Sequence, residues 1–116
     1  MSNDRVYKMK FSKVYPLLVQ KVERKGRSKA EVDKVICWLT GYEEQDLQSQ
    51  LAADVDYEQF FSDAPEFNPN ADKITGVICG HRVENITEPL MKKIRQMDKL
   101  VDELAKGKTM EKILRA

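Results

Sequence analysis

One histidine, one tryptophan and two cysteines in 116 residues leave little from which to build a reactive centre. Structural or catalytic zinc needs several nitrogen or sulfur ligands at helical or turn spacing, and His81, Cys37 and Cys79 are all that the chain offers. Cys79 and His81 stand two residues apart, and on a helix they would point about 200° away from each other. No metal site and no cofactor are therefore expected. Cys37 and His81 form a nucleophilic pair only if the fold brings them together. Glycine is sparse too. The stretch from Gly76 to Gly80 has neither the Lys-Ser/Thr ending of a phosphate-cradling loop nor the strand-helix setting of a dinucleotide fingerprint, so no motif for nucleotide hydrolysis is present.

Long apolar runs are also missing. The first eleven residues carry Asp4, Arg5, Lys8 and Lys10, which leaves no signal-peptide core, and no later stretch suits a membrane span. A cytoplasmic chain is expected, with Cys37 and Cys79 kept reduced and serving as small buried hydrophobes within their apolar stretches.

Charge is plentiful: Lys and Arg number 20, Asp and Glu 19, for a net +1. Its distribution is uneven. From Met1 to Lys34 ten cations face four anions; from Val35 to Asp72 there are nine carboxylates and no cation; from Lys73 to Ala116 ten cations face six anions. The ends should attract the middle, and the acidic block also offers a face to a basic partner. Hydrophobic residues make up 41% of the chain, enough for one core, so a single domain over residues 1–116 is expected.

Helix punctuation is clear. Ser28 and Glu31 form a capping box, Val32, Val35, Ile36 and Leu39 follow as one stripe, and Gly41 closes the helix. Upstream, Val14, Leu18 and Val22 form a second stripe that Gly26 ends, with Pro16 expected in the first turn. Trp38 and Leu39 should reach the core and Tyr42 should cover the helix exit. Leu47 and Leu51 mark a third helix, and Asp56 with Gln59 caps a short fourth carrying Tyr57, Phe60 and Phe61. Thr87 is the expected cap of a late helix with Pro89 in its first turn. That helix carries Leu90, Ile94, Met97, Val101 and Leu104, a seam for another helix, and Gly107 closes it before a final turn after Thr109.

The segment from Asn68 to Val83 is ambiguous. Its Ile, Thr and Val favour a strand, yet a lone strand has no partner in a helical chain, and its backbone groups would go unpaired if buried. Asn68-Pro69 suits a helix start and Ile74 and Ile78 share a helical face, so the segment is expected to be helical, with Gly76 and Gly80 giving close backbone packing. An extended segment lining an open cavity would instead favour ligand capture.

The strings Tyr15-Pro16-Leu17, Glu31-Val32, Trp38-Leu39-Thr40-Gly41-Tyr42, Asn68-Pro69-Asn70, Ile74-Thr75-Gly76-Val77-Ile78-Cys79-Gly80, Pro89-Leu90-Met91 and the run from Asp98 to Lys108 span nearly the whole chain. With them the sequence resembles an uncharacterised bacterial family, domain of unknown function 2200. The resemblance implies a compact all-α fold in a bacterial, cytoplasmic protein and brings no activity, cofactor or catalytic residue. It weighs against a strand from Ile74 to Cys79. The expected fold is an all-α bundle of about five to six short helices with orthogonal or irregular packing.

Three functions fit. The first is a non-enzymatic helical module that contacts another macromolecule, either an unknown protein or a second copy through oppositely charged faces. The second is an anion binder or enzyme using Gly80, His81 and Arg82, where a flexible backbone adjoins an imidazole and a guanidinium. Against it, Arg82 has a local acid such as Glu84 or Glu58 to pair with, which would leave His81 merely at the surface. The third is nucleic-acid association through Lys21, Arg24, Lys25, Arg27 and Lys29 and through Lys92, Lys93, Arg95 and Lys99, a reading opposed by the acidic block and the lack of any reader motif.

Overall fold

A computed structural model describes residues 3–115. The fold is all-α. Helices α1 (Asp4–Tyr7), α2 (Phe11–Glu23), α3 (Lys29–Thr40), α4 (Glu44–Ala52) and α5 (Tyr57–Ser62) are followed by a 3-10 turn at Pro69–Lys73. A two-stranded hairpin of β1 (Val77–Ile78) and β2 (His81–Arg82) comes next, then a 3-10 turn at Val83–Asn85, the long α6 (Pro89–Ala105) and α7 (Met110–Ile113).

Local rules set most of the boundaries. The Ser28 and Glu31 capping box is fully formed, and Gly41 takes a left-handed φ of 82° while donating its N–H to the Cys37 carbonyl. Asp56 accepts from the Gln59 amide at 2.8 Å, as the weaker cap predicts. Thr40 donates its hydroxyl to the Ile36 carbonyl at 2.7 Å, and Tyr42, buried over the exit of α3, donates to the Phe60 carbonyl at 2.7 Å. The carbonyls at the end of α3 are served from a distance: the Asn68 side chain reaches Trp38, the Asn68 amide reaches Leu39 and the Glu66 amide reaches Thr40. Two of the strings that carry the family resemblance therefore clasp each other.

Helix α6 is the axis of the core. It packs against α2, α3, α5, α7 and the hairpin, and buries Ile94, Met97, Leu100, Val101 and Leu104 almost completely. The seam expected to receive another helix is filled from within the chain. Gln96 and Glu103 are buried on the same helix. Gln96 donates to the Ala71 carbonyl at 3.1 Å, and Glu103 is held by both terminal nitrogens of Arg115 at 2.9 and 2.6 Å. Phe11 stacks on Phe60 with ring centroids 3.9 Å apart, tying α2 to α5.

Several expectations require correction. The segment from Ile74 to Val83 is not a helix. Ile78 pairs with His81 and Val77 with Arg82, so the strand finds its partner in itself across a two-residue turn. Cys79 and Gly80 have φ of 52° and 80°, both left-handed, as a type I′ turn demands. The buried-backbone objection fails because this hairpin lies at the surface, where water serves its outer edge. Only the start was read correctly, with Asn68 capping and Pro69 opening a 3-10 turn.

Pro16 lies inside α2 instead of in its first turn. The helix begins early because Phe11 donates to the Val55 carbonyl and Tyr57 to the Met9 carbonyl, a tertiary bridge that sequence periodicity cannot register. Pro16 is exposed, so water can serve the Ser12 carbonyl that it leaves without a donor. Glu88, not Thr87, is the N-cap of α6. Trp38 is only partly buried, and Cys79 is exposed. Finally, the acidic block does not engage the basic ends: among the described residues, no ion pair uses a carboxylate between Glu43 and Asp72.

Candidate functional site

The hairpin tip and the start of α6 enclose a cleft of about 580 Å³. Gly80, His81 and Arg82 form one wall, Asn85, Ile86 and Thr87 line the connection to α6, and Glu88, Met91 and Arg95 project from that helix, with Asn3 closing the far side. The type I′ turn explains the first wall. With Gly80 in the left-handed region and no atom within 4 Å of where its Cβ would stand, the chain reverses and presents His81 and Arg82 beside each other.

The polar groups here are partly committed. Arg82 donates through Nε to Glu84 at 3.0 Å, as the opposing expectation held, and His81 is exposed. Glu84 also accepts from the Gly76 amide at 3.0 Å; this backbone bond first, its own amide next and then Arg82 hold the carboxyl down to about 2. Arg95 donates through Nη1 to Asp98 at 3.0 Å and to the Cys79 sulfur at 3.5 Å, which places this guanidinium against the turn. Each of these bonds uses one nitrogen of a guanidinium that has three. At the opposite end Asn3 donates to Glu88, and the Tyr7 hydroxyl is buried with no hydrogen-bond partner among the described residues. Burial, then Glu88, push that hydroxyl above its ordinary value.

The three residues singled out from the sequence thus share one cleft. Arg95, Glu88, Asn3 and Asn85 were not singled out with them. Glu88, Met91 and Arg95 follow an i, i+3, i+7 spacing, the sequence signal that assigns them to a common face.

The pairing of thiol with imidazole does not arise. Cys37 lies in a separate groove with Asp33, Lys34, Tyr42 and Glu44, and burial first, then Asp33 and Glu44, raise its thiol. Both cysteines are free. Among the described residues no three or more His, Cys, Asp or Glu side chains gather as metal ligands do, and no helix is long and apolar enough to cross a membrane.

The basic clusters are largely engaged within the chain. Lys21 pairs with Asp102, Lys29 with Asp33, and Lys99 donates to the Val77 carbonyl. Arg27 holds Glu31 and donates to the carbonyls of Leu104 and Lys108, joining the α2–α3 turn to the end of α6.

Comparison with curated proteins gives no match. Among solved structures, the crystal structure of the uncharacterized protein SP1917 is 52% identical, with a TM-score of 0.91 over 98% of this chain and 93% of that one. A family model described as an uncharacterized protein conserved in bacteria, DUF2200, matches residues 5–115, and the chain belongs to that family.

Proposed function

We propose that the cleft between the hairpin and α6 captures a small anionic molecule, and that the protein acts as a cytoplasmic binding module. The observation that carries this reading is the meeting of Gly80, His81 and Arg82 with Arg95 in one hollow. Two guanidinium groups of fixed charge and an imidazole present donors to a carboxylate or phosphate, and the remaining nitrogens of both arginines are available for charge-assisted bonds. The free thiols suit a reducing compartment.

Calorimetric titration with inorganic phosphate and with small dicarboxylates tests the reading. Binding should weaken by about tenfold to a hundredfold in Arg95→Gln and in Arg82→Gln, the worth of one hydrogen bond to a charged group. Amide resonances of residues 80–82 should shift on titration. Unchanged resonances there would remove the site.

One observation favours a second reading, docking of a basic macromolecule. The carboxylates of Glu43, Glu44, Asp46, Glu58, Asp63, Glu66 and Asp72 are all exposed and outside any ion pair among the described residues. If a second copy is that partner, light scattering at low salt should give a mass above the monomer that falls as salt rises; a monomer at every salt concentration would exclude self-association.

A further inference from the structure

We infer that the cleft is bipolar and takes a short zwitterion of dipeptide size, its carboxylate at Arg95 and its ammonium at Glu88; this rests on the anion-capture reading above. Glu88, Met91 and Arg95 lie on one face of α6, and seven residues separate the acid from the base by about 10 Å along the axis. Met91, buried, sits between them. The same strip of wall therefore carries a negative end, an apolar middle and a positive end.

Glu88 occupies the N-cap position of α6, where a carboxylate ordinarily turns inward to bond the first amides. It makes no capping bond and instead accepts from Asn3 across the cleft mouth. The Tyr7 hydroxyl is buried beside Glu88 and Asn3, and burial first, then Glu88, raise its pKa, so this end of the cleft is electronegative. An ammonium bound in the cleft would neutralise Glu88, which lines it. At the other end Arg95, braced by Asp98, stands against the hairpin tip with His81 and Arg82.

Length selects among zwitterions. A free α-amino acid carries both charges on one carbon and cannot span the two ends, whereas an extended dipeptide spans about 7 Å between its termini, and the side chains of Glu88 and Arg95 supply the rest. Asn85 and Thr87 line the stretch between and offer partners for the peptide amide, and Ile86 with Met91 gives the peptide's side chain an apolar surface.

Calorimetry on the whole chain with glycyl-leucine, N-acetyl-glycyl-leucine, glycyl-leucinamide and inorganic phosphate tests this. Glycyl-leucine should bind at least tenfold more tightly than either blocked form. Glu88→Gln should abolish the discrimination against the acetylated peptide, and Arg95→Gln the discrimination against the amide, with circular dichroism showing both variants folded. Because the blocked peptides probe each end in the unaltered protein, the test does not depend on the variants folding. Equal binding of glycyl-leucine and its acetylated form, or phosphate binding with no dipeptide binding, would overturn the zwitterion and leave anion capture standing. Binding of none of the four would overturn both.

Discussion

Glu84 fastens the hairpin to its own exit. One carboxylate oxygen takes the Gly76 amide before the first strand, and the other takes Arg82 on the second. With its pKa held near 2, against an ordinary carboxylate value near 4.5, the folded state favours the ionised form. That contribution is complete above the unfolded value and disappears as pH falls from about 4.5 toward 2. The melting temperature of the wild type should therefore exceed that of Glu84→Gln by its largest margin at neutral pH, and the two curves should converge in acid. Melting curves followed by circular dichroism from pH 7 to pH 2 would check it, and parallel curves would count against the bond. Pairing at this range was legible, since Arg82 and Glu84 are neighbours in sequence. The cluster of buried Tyr15 and Asp33 with exposed Lys29 was not: Tyr15 donates to Asp33, and Lys29 reaches the same carboxylate at 2.9 Å. Tyr15 reads as a member of an apolar stripe and Asp33 as one more surface charge, because periodicity tells which way a side chain faces and not what stands opposite.

Among elements, α3 ends where two requirements meet. Gly41 needs its left-handed backbone, and a Cβ there would stand 2.6 Å from the Glu66 carbonyl oxygen and 2.7 Å from its nitrogen. The Glu66 backbone cannot give way cheaply, since its amide holds the Thr40 carbonyl. Gly41→Ala should cost more than the about 1–2 kcal/mol of the backbone conformation alone, measured by urea denaturation; a loss below 1 kcal/mol would mean that residues 64–68 readily move aside. The stop at Gly41 was readable, because a helix cap is written within four residues. The hairpin was not. Two-residue strands are too short to show alternation, and Cys-Gly lacks the Asn-Gly or Asp-Gly lettering that marks such turns. The same mistake concealed the cleft, since glycines assigned to helix packing leave no hollow for His81 and Arg82 to line. Asn3 and Arg95 reach that hollow from elements remote in sequence, so no local pattern announces them.

On the scale of the whole molecule, α6 is where the other elements meet. Leu100 is fully buried on it, and Leu100→Ala should cost about 2–5 kcal/mol in guanidinium denaturation. The slope of the transition should stay unchanged if the chain still unfolds in one step. A loss under 1 kcal/mol would show that the surrounding helices close over the gap. The charge map works on the same scale. Ion pairs join α2 to α6 and α6 to the C-terminal segment, while the carboxylates of Glu43, Glu44, Asp46, Glu58, Asp63, Glu66 and Asp72 remain turned to solvent.

The late place of α6 in the chain governs how this protein comes off the ribosome. Residues 11–62 emerge carrying apolar faces whose common partner has not yet been translated, and the hairpin that bears the cleft has no wall to lean on until Met91 and Arg95 clear the exit tunnel. The core closes only once α6 has been added to the growing chain.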